Sequence, residues 1–171
     1  MPNTEIELKP VDFVTIGTIG PKGKRIFHLQ AGKGQQIVSL IIEKEQAWAL
    51  SEAVKELIDD LDERFPGRLG ESGEMDIDTI DMDLREPIEP LFRVAQMGLG
   101  YDEENNLIVL VAQELVTVEE DETDPEEVEP GVVRMWCDRQ QMRALSLQAI
   151  DTVQSGRADP RQNGRVVYYW T

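Results

Sequence analysis

Residues 38–54 read VSLIIEKEQAWALSEAV, and their hydrophobic period changes midway. Val38, Leu40, Ile41 and Ile42 form a short apolar run rich in β-branched residues. From Glu43 onward, Ala47, Leu50, Val54, Leu57, Ile58 and Leu61 recur at spacings of three and four. A strand that runs directly into an amphipathic helix fits this pattern. The helix is expected over residues 43–65, because Pro66 and Gly67 stop it. Upstream, DFVTIGTIG (12–20), KRIFHLQA (24–31) and QQIVSLII (35–42) are separated by glycine-containing connections, which predicts antiparallel hairpins. In the middle run Phe27, Leu29 and Ala31 make one apolar face, while Ile26, His28 and Gln30 make a mixed one.

The same junction recurs later. Residues 133–149, VRMWCDRQQMRALSLQA, lie over residues 38–54 without a gap. Val38 falls on Val133, Gln46 on Gln141, and Ala49-Leu50-Ser51 on Ala144-Leu145-Ser146. In each copy a charged pair, Glu43-Lys44 or Asp138-Arg139, opens the helix, where an acid accepts from free backbone N–H groups. Further strands are expected at 91–101, 107–118 and 132–137, and a second helix at 138–154. Residues 13–20 echo 92–100 with one inserted residue. The expected fold is therefore α+β, two βββα repeats forming a mainly antiparallel sheet with two helices in a pseudo-twofold arrangement. It reads as a single domain over residues 1–171, with repeat one at about 12–65 and repeat two at about 91–155. Residues 68–90 and 119–130, rich in acids and proline, are expected as solvated loops. The tail, 156–171, offers a short seventh strand at 166–170.

Charge narrows the partners. The formal net charge is −17, from 34 acidic and 17 basic side chains. Binding to nucleic acid displaces counterions with a basic face, so no nucleic-acid partner is expected. An anionic membrane surface is disfavoured for the same reason. A basic protein partner, by contrast, is attracted over a long range. Cys137 is the single cysteine, so no intrachain disulfide and no multi-thiolate zinc site can form. With no basic-then-apolar leader at residues 1–10 and no long apolar run, a cytoplasmic location is expected.

The order of segments resembles a bacterial family catalogued as domain of unknown function 3090. The resemblance rests on FVTIGTIGPKGKRIFHLQA (13–31), VSLIIEKEQAWAL (38–50) and LFRVAQMGLGYDEENNLIVLVAQE (91–114). It covers most of the chain up to Ser155 and implies a fold rather than a chemistry. Members of that family usually follow the last helix with a zinc-ribbon-like tail, C-P-x-C-G…H-x-C. Here residues 156–171 hold neither cysteine nor histidine, so no such metal site is carried over.

Few residues invite chemistry. His28 is the single histidine and is expected at a solvated strand position. Cys137 has Asp138 beside it, which opposes a thiolate, so a partly buried structural thiol is expected. The acidic run at 76–83 fails as a calcium loop: counted from Asp76, the sixth position is Asp81 rather than glycine and the twelfth is Pro87. The glycines at 17, 20, 23, 32 and 34 separate strands and do not open a helix, so they make no phosphate loop. No catalytic residue, metal ligand or cofactor is assigned. The expected function is a non-enzymatic, acidic protein-interaction or assembly module, with homodimerisation through a sheet edge as a variant. Tyr168, Tyr169 and Trp170 are its candidate partner-binding anchors. The alternative is a small enzyme or ligand-binding protein with a pocket between the repeats, where Arg25, His28, Arg93 and Arg134 supply polar groups.

Overall fold

The structure is a computed structural model that describes residues 4–21, 23–65, 80–116 and 129–155. Seven strands and two helices follow one another as β1 (Glu5–Leu8), β2 (Phe13–Ile19), β3 (Ile26–Lys33), β4 (Gln36–Ile42), α1 (Lys44–Arg64), β5 (Pro90–Asp102), β6 (Leu107–Glu114), β7 (Val132–Cys137) and α2 (Arg139–Ser155). The strands form one sheet in the order β1-β7-β6-β5-β4-β3-β2. Each run of three, β2-β3-β4 and β5-β6-β7, is an antiparallel meander. The two parallel pairings, β4 with β5 and β1 with β7, make the sheet mixed. Gly34, at φ 60°, turns β3 into β4 where a side chain would be strained.

Alternation along the strands sets an inner and an outer face. Ile16, Leu29 and Leu40 stand in register on the inner face of the first meander, as Ile108 with Cys137 and Leu110 with Met135 do in the second. They pack into one core with Ala47, Leu50 and Val54 of α1 and Met142, Leu145 and Ala149 of α2. Each valine, leucine, isoleucine or methionine among them contributes about 1.5–3 kcal/mol on burial. The two helices lie against each other, and Ser146 Oγ donates to the carbonyl of Ser51 at 2.9 Å. Gln148 Nε2 of α2 donates to Ile16 O of β2 at 3.1 Å.

The sheet must curl. β1 and β2 stand at opposite ends of the strand order, yet only residues 9–12 join them. Seven flat strands span about 29 Å between their outermost axes, whereas five residue steps reach at most about 17 Å. The joining segment bridges both sides: Val11 N–H donates to Trp136 O of β7 at 2.8 Å, and Asp12 N–H to Gly32 O of β3 at 2.7 Å.

Two elements differ from the sequence expectation. β1 was not anticipated, because EIEL is short and half acidic, a poor strand by propensity. It pairs nonetheless, with Ile6 and Leu8 inward beside Val133 and Met135, and with Glu5 and Glu7 reaching Arg134. The expected solvated connector keeps its side chains exposed or half-buried where it is described, but its backbone is anchored. Residues 80–89 lie as a strap across the outer face of the first meander. Thr15 Oγ1 donates to Met82 O at 2.6 Å, and Gln30 meets both the N–H and the carbonyl of Arg85 at 2.7 and 2.8 Å. Leu84 fills the space above Gly17, where a Cβ would stand 2.7 Å from it. The strap is held because Gln30, fully buried, needs polar partners and Arg85's backbone supplies them. Residues 66–79, 117–128 and the tail lie outside the described residues, and with them the expected strand at 166–170.

Candidate functional site

Of the four candidate polar residues, Arg25 and Arg93 come together. They line a cleft of about 420 Å³ with Ile26, Phe27, Glu43, Lys44 and Glu45. Arg25 stands just before β3, Arg93 lies on β5 opposite Ile41, and Lys44 opens α1. The cleft thus sits where the first meander hands over to the second. Three cations face two carboxylates. Arg93 is ion-paired with Glu43, and Arg25 Nη1 donates to Ser155 O at 3.1 Å. Glu43 also caps α1, its N–H donating to Gln46 Oε1 at 2.7 Å. The cleft is a mild positive spot on an acidic molecule.

His28 and Arg134 lie elsewhere. His28 is only 4% exposed rather than solvated, since its outer face is the one that the strap shares. Its Nδ1 lies 3.0 Å from Ile26 O, a contact that suits the Nδ1–H tautomer. Arg134, on β7, contacts Glu5 at 3.0 Å and Glu7 at 3.5 Å across the β1 edge. Tyr168, Tyr169 and Trp170 lie outside the described residues.

Cys137 is fully buried rather than partly so. Burial, and secondarily the charge of Asp138, push its thiol well above the ordinary range. An unfolded thiol ionises near about 8.5, while the folded one stays neutral there. Stability is therefore unaffected by this group below that pH and falls as pH rises above it, by up to about 1.4 kcal/mol per pH unit. Replacing Cys137 with alanine is expected to flatten that alkaline slope in urea titrations. Thiol reagents are expected to label the native protein only as fast as it unfolds.

Sequence reasoning missed three features. The first is a groove of about 310 Å³ between α1 and β5, lined by Gln46, Ala49, Ala53, Met97, Leu99 and Leu110 among others. Ala49 and Ala53 are exposed and lie off the core stripe. At about 100° per residue, Glu45, Glu52, Glu56, Asp60 and Glu63 fall within about 60° of Ala49, as does one cation, Arg64, which pairs with Asp60 at 3.2 Å. The groove therefore has a largely apolar floor and lies beside an acidic stretch of the α1 surface, and that spacing of alanines and acids was readable. The second feature is a buried charge cluster. Arg139, 3% exposed, reaches Asp62 of α1 at 2.9 Å, with Tyr101 and Asn106 beside it, and Arg143 takes the other Asp62 oxygen. Its sequence gave no warning, because a cation in a helix-opening pair is ordinarily solvated. The third is the outer face of the second meander, where Gly98 and Gly100 are exposed.

Among the described residues, no cluster of three or more His, Cys, Asp and Glu is arranged to hold a metal ion, and no helix is long and apolar enough to cross a membrane. The family described as "Protein of unknown function (DUF3090)" matches residues 6–162. No curated protein and no solved structure matches the chain.

Proposed function

The chain belongs to the DUF3090 family, and we propose that it is a non-enzymatic, acidic protein-interaction module built from two related βββα units. The groove between α1 and β5 is its docking site, and a basic, amphipathic segment of another protein is its occupant. The observation that carries this reading is the pairing of an open, largely apolar floor with an acidic stretch of the α1 surface beside it. The acidic stretch steers a cationic partner, and the floor gains from burying its apolar side chains. The groups best suited to chemistry at neutral pH are enclosed: His28 and Cys137 are both buried.

The two-unit reading has support in matched contacts. Gln46 and Gln141 each accept from the N–H five residues after the matched valine, those of Glu43 and Asp138. Each then donates onward to the neighbouring strand region, Gln46 to Val94 O at 3.1 Å and Gln141 to Val11 O at 3.2 Å. Ser51 and Ser146, aligned in sequence, meet where the helices cross. This register matches Val11 with Val94 and Ile16 with Leu99, not Phe13 with Phe92. Parallel pairing is likewise matched, since β1 joins β7 as the first residues of β5 join β4.

The test is affinity capture on the full chain at low and raised salt, beside Glu52→Lys/Glu56→Lys and Ala53→Trp. A stoichiometric basic protein is expected, lost as salt rises and bound at least about tenfold more weakly by both variants, equivalent to 1.4 kcal/mol or more. Capture indifferent to both variants overturns the groove assignment. A second reading follows from the cleft at Arg25, Lys44 and Arg93, which would suit a small anionic ligand. A bound metabolite released by Arg93→Ala, with no protein partner, would favour it.

A further inference from the structure

β5 is 13 residues long, but β4 pairs with it only between Pro90 and Arg93. Past Ile42 the chain leaves the sheet for α1, so β4 does not line the rest of β5. The ladder on the other side settles which backbone groups face that gap. Glu114 N–H donates to Gly131 O, toward β7, so Gln113, Val111 and Val109 turn their groups toward β5. Their partners Gln96, Gly98 and Gly100 bond to β6, and the intervening Met97 and Leu99 turn N–H and C=O the other way. Among the described residues no hydrogen bond reaches those four groups. Both residues line the groove against α1.

The first unit shows what closes such an edge. Gln148 of α2 donates to Ile16 O of β2 at 3.1 Å. In the overlay of the two junctions Gln148 falls on Ala53, and by the matched contacts Ile16 falls on Leu99. At this position α1 therefore carries a methyl group where α2 carries a donor, and Leu99 O has no such cap.

We propose that the free edge of β5 takes an extended strand of the basic partner, hydrogen-bonded to Met97 and Leu99 and laid against Ala49 and Ala53. This rests on the groove reading and names the form the partner adopts there. An added strand satisfies all four edge groups and continues the sheet where β4 leaves it. Its alternate side chains point inward over the two alanines, and the others point to the outer face. Glu52 and Glu56 are exposed on the same helix within about 60° of Ala49, so cations on the strand meet opposite charge. Gln46 marks one end of the slot, donating to Val94 O and Ala95 O at 3.1 and 3.3 Å. A second copy is disfavoured by its own net charge of −17.

The experiment uses the full chain and a synthetic seven-residue peptide that alternates lysine and valine, blocked at both ends. Copies N-methylated at every valine, or at every lysine, each lose the donors along one strand edge. The plain peptide is expected to slow hydrogen exchange of the Met97 and Leu99 amides at least about tenfold. One methylated copy is expected to bind at least about tenfold more weakly than the other, because only one edge faces β5. Ala53→Gln, which supplies the missing cap, is expected to weaken binding at least about fivefold, whereas Ala53→Glu, of similar size without the donor, retains it. Binding that Glu52→Lys/Glu56→Lys weakens, but that treats both methylated copies alike, would overturn the strand and leave the groove standing. Indifference to the groove variants as well would overturn both. Slow exchange of Met97 and Leu99 in the free chain would show the edge already filled and overturn the proposal. Were that protection to grow with concentration, the occupant would be a second copy.

Discussion

Asp62→Ala is expected to destabilise the domain by about 3 kcal/mol, lowering Tm by roughly 6–12 °C. The cost arises at its partner. Arg139 is almost wholly buried, and among the described residues Asp62 supplies the one carboxylate its guanidinium touches. Without it, Nη2 keeps Tyr101 OH at 3.5 Å and Asn106 Oδ1 at 3.3 Å, both neutral acceptors. Nε already lacks a hydrogen-bond partner. An uncompensated buried charge is far worse than no charge, which is why breaking such a pair costs more than replacing it. Asp62 itself is 29% exposed, so water solvates one side of the gap and the effect falls at the lower end of the range. Arg139→Met in the same background is expected to recover most of the loss. A double-mutant cycle by urea unfolding decides it: a single-variant cost under about 1 kcal/mol would mean that the cluster relaxes to solvent.

Gln30→Leu is expected to cost about 2–4 kcal/mol and to free the strap. The Gln30 amide donates to Ser39 Oγ at 3.0 Å and Arg85 O at 2.8 Å, and accepts from Arg85 N–H at 2.7 Å. Leucine keeps the volume but makes none of these bonds, and Ser39, also buried, is left without its donor. Arg85 stacks over Phe13 at 3.8 Å, so its side chain is also tied down in the native state. Trypsin cleavage after Arg85 under native conditions is therefore the direct readout. It is expected to accelerate at least tenfold in Gln30→Leu, while cleavage within α2 stays slow. Equal rates would show that Thr15 and Leu84 hold the strap without Gln30.

Most of the fold was legible because it is local. Glycine-separated β-branched runs and the change from period two to period three and four fix the strands and helices from chain neighbours alone. The bounds of α1 and α2 lie within a residue of expectation. What escaped was set by distant partners. The segment EIEL became β1 only because β7 offered a parallel edge. The segment after Ile80 looked like a solvated loop, since its acids and prolines hide a leucine that fits Gly17. Arg25 and Arg93 share a cleft, whereas Arg134 is engaged by Glu5 and Glu7 at the other end of the sheet.

The sequence by itself determined the α+β class, the order of elements and the acidity that disfavours nucleic acid, because propensity, period and net charge are sums over neighbouring residues. Only the tertiary structure decided which strands meet in parallel, that the sheet curls, that Gln30, His28 and Arg139 are buried, and that α1 leaves a groove against β5. Those depend on contacts between residues far apart in the chain, where a one-residue shift in register exchanges the faces of a strand and no local pattern records the outcome.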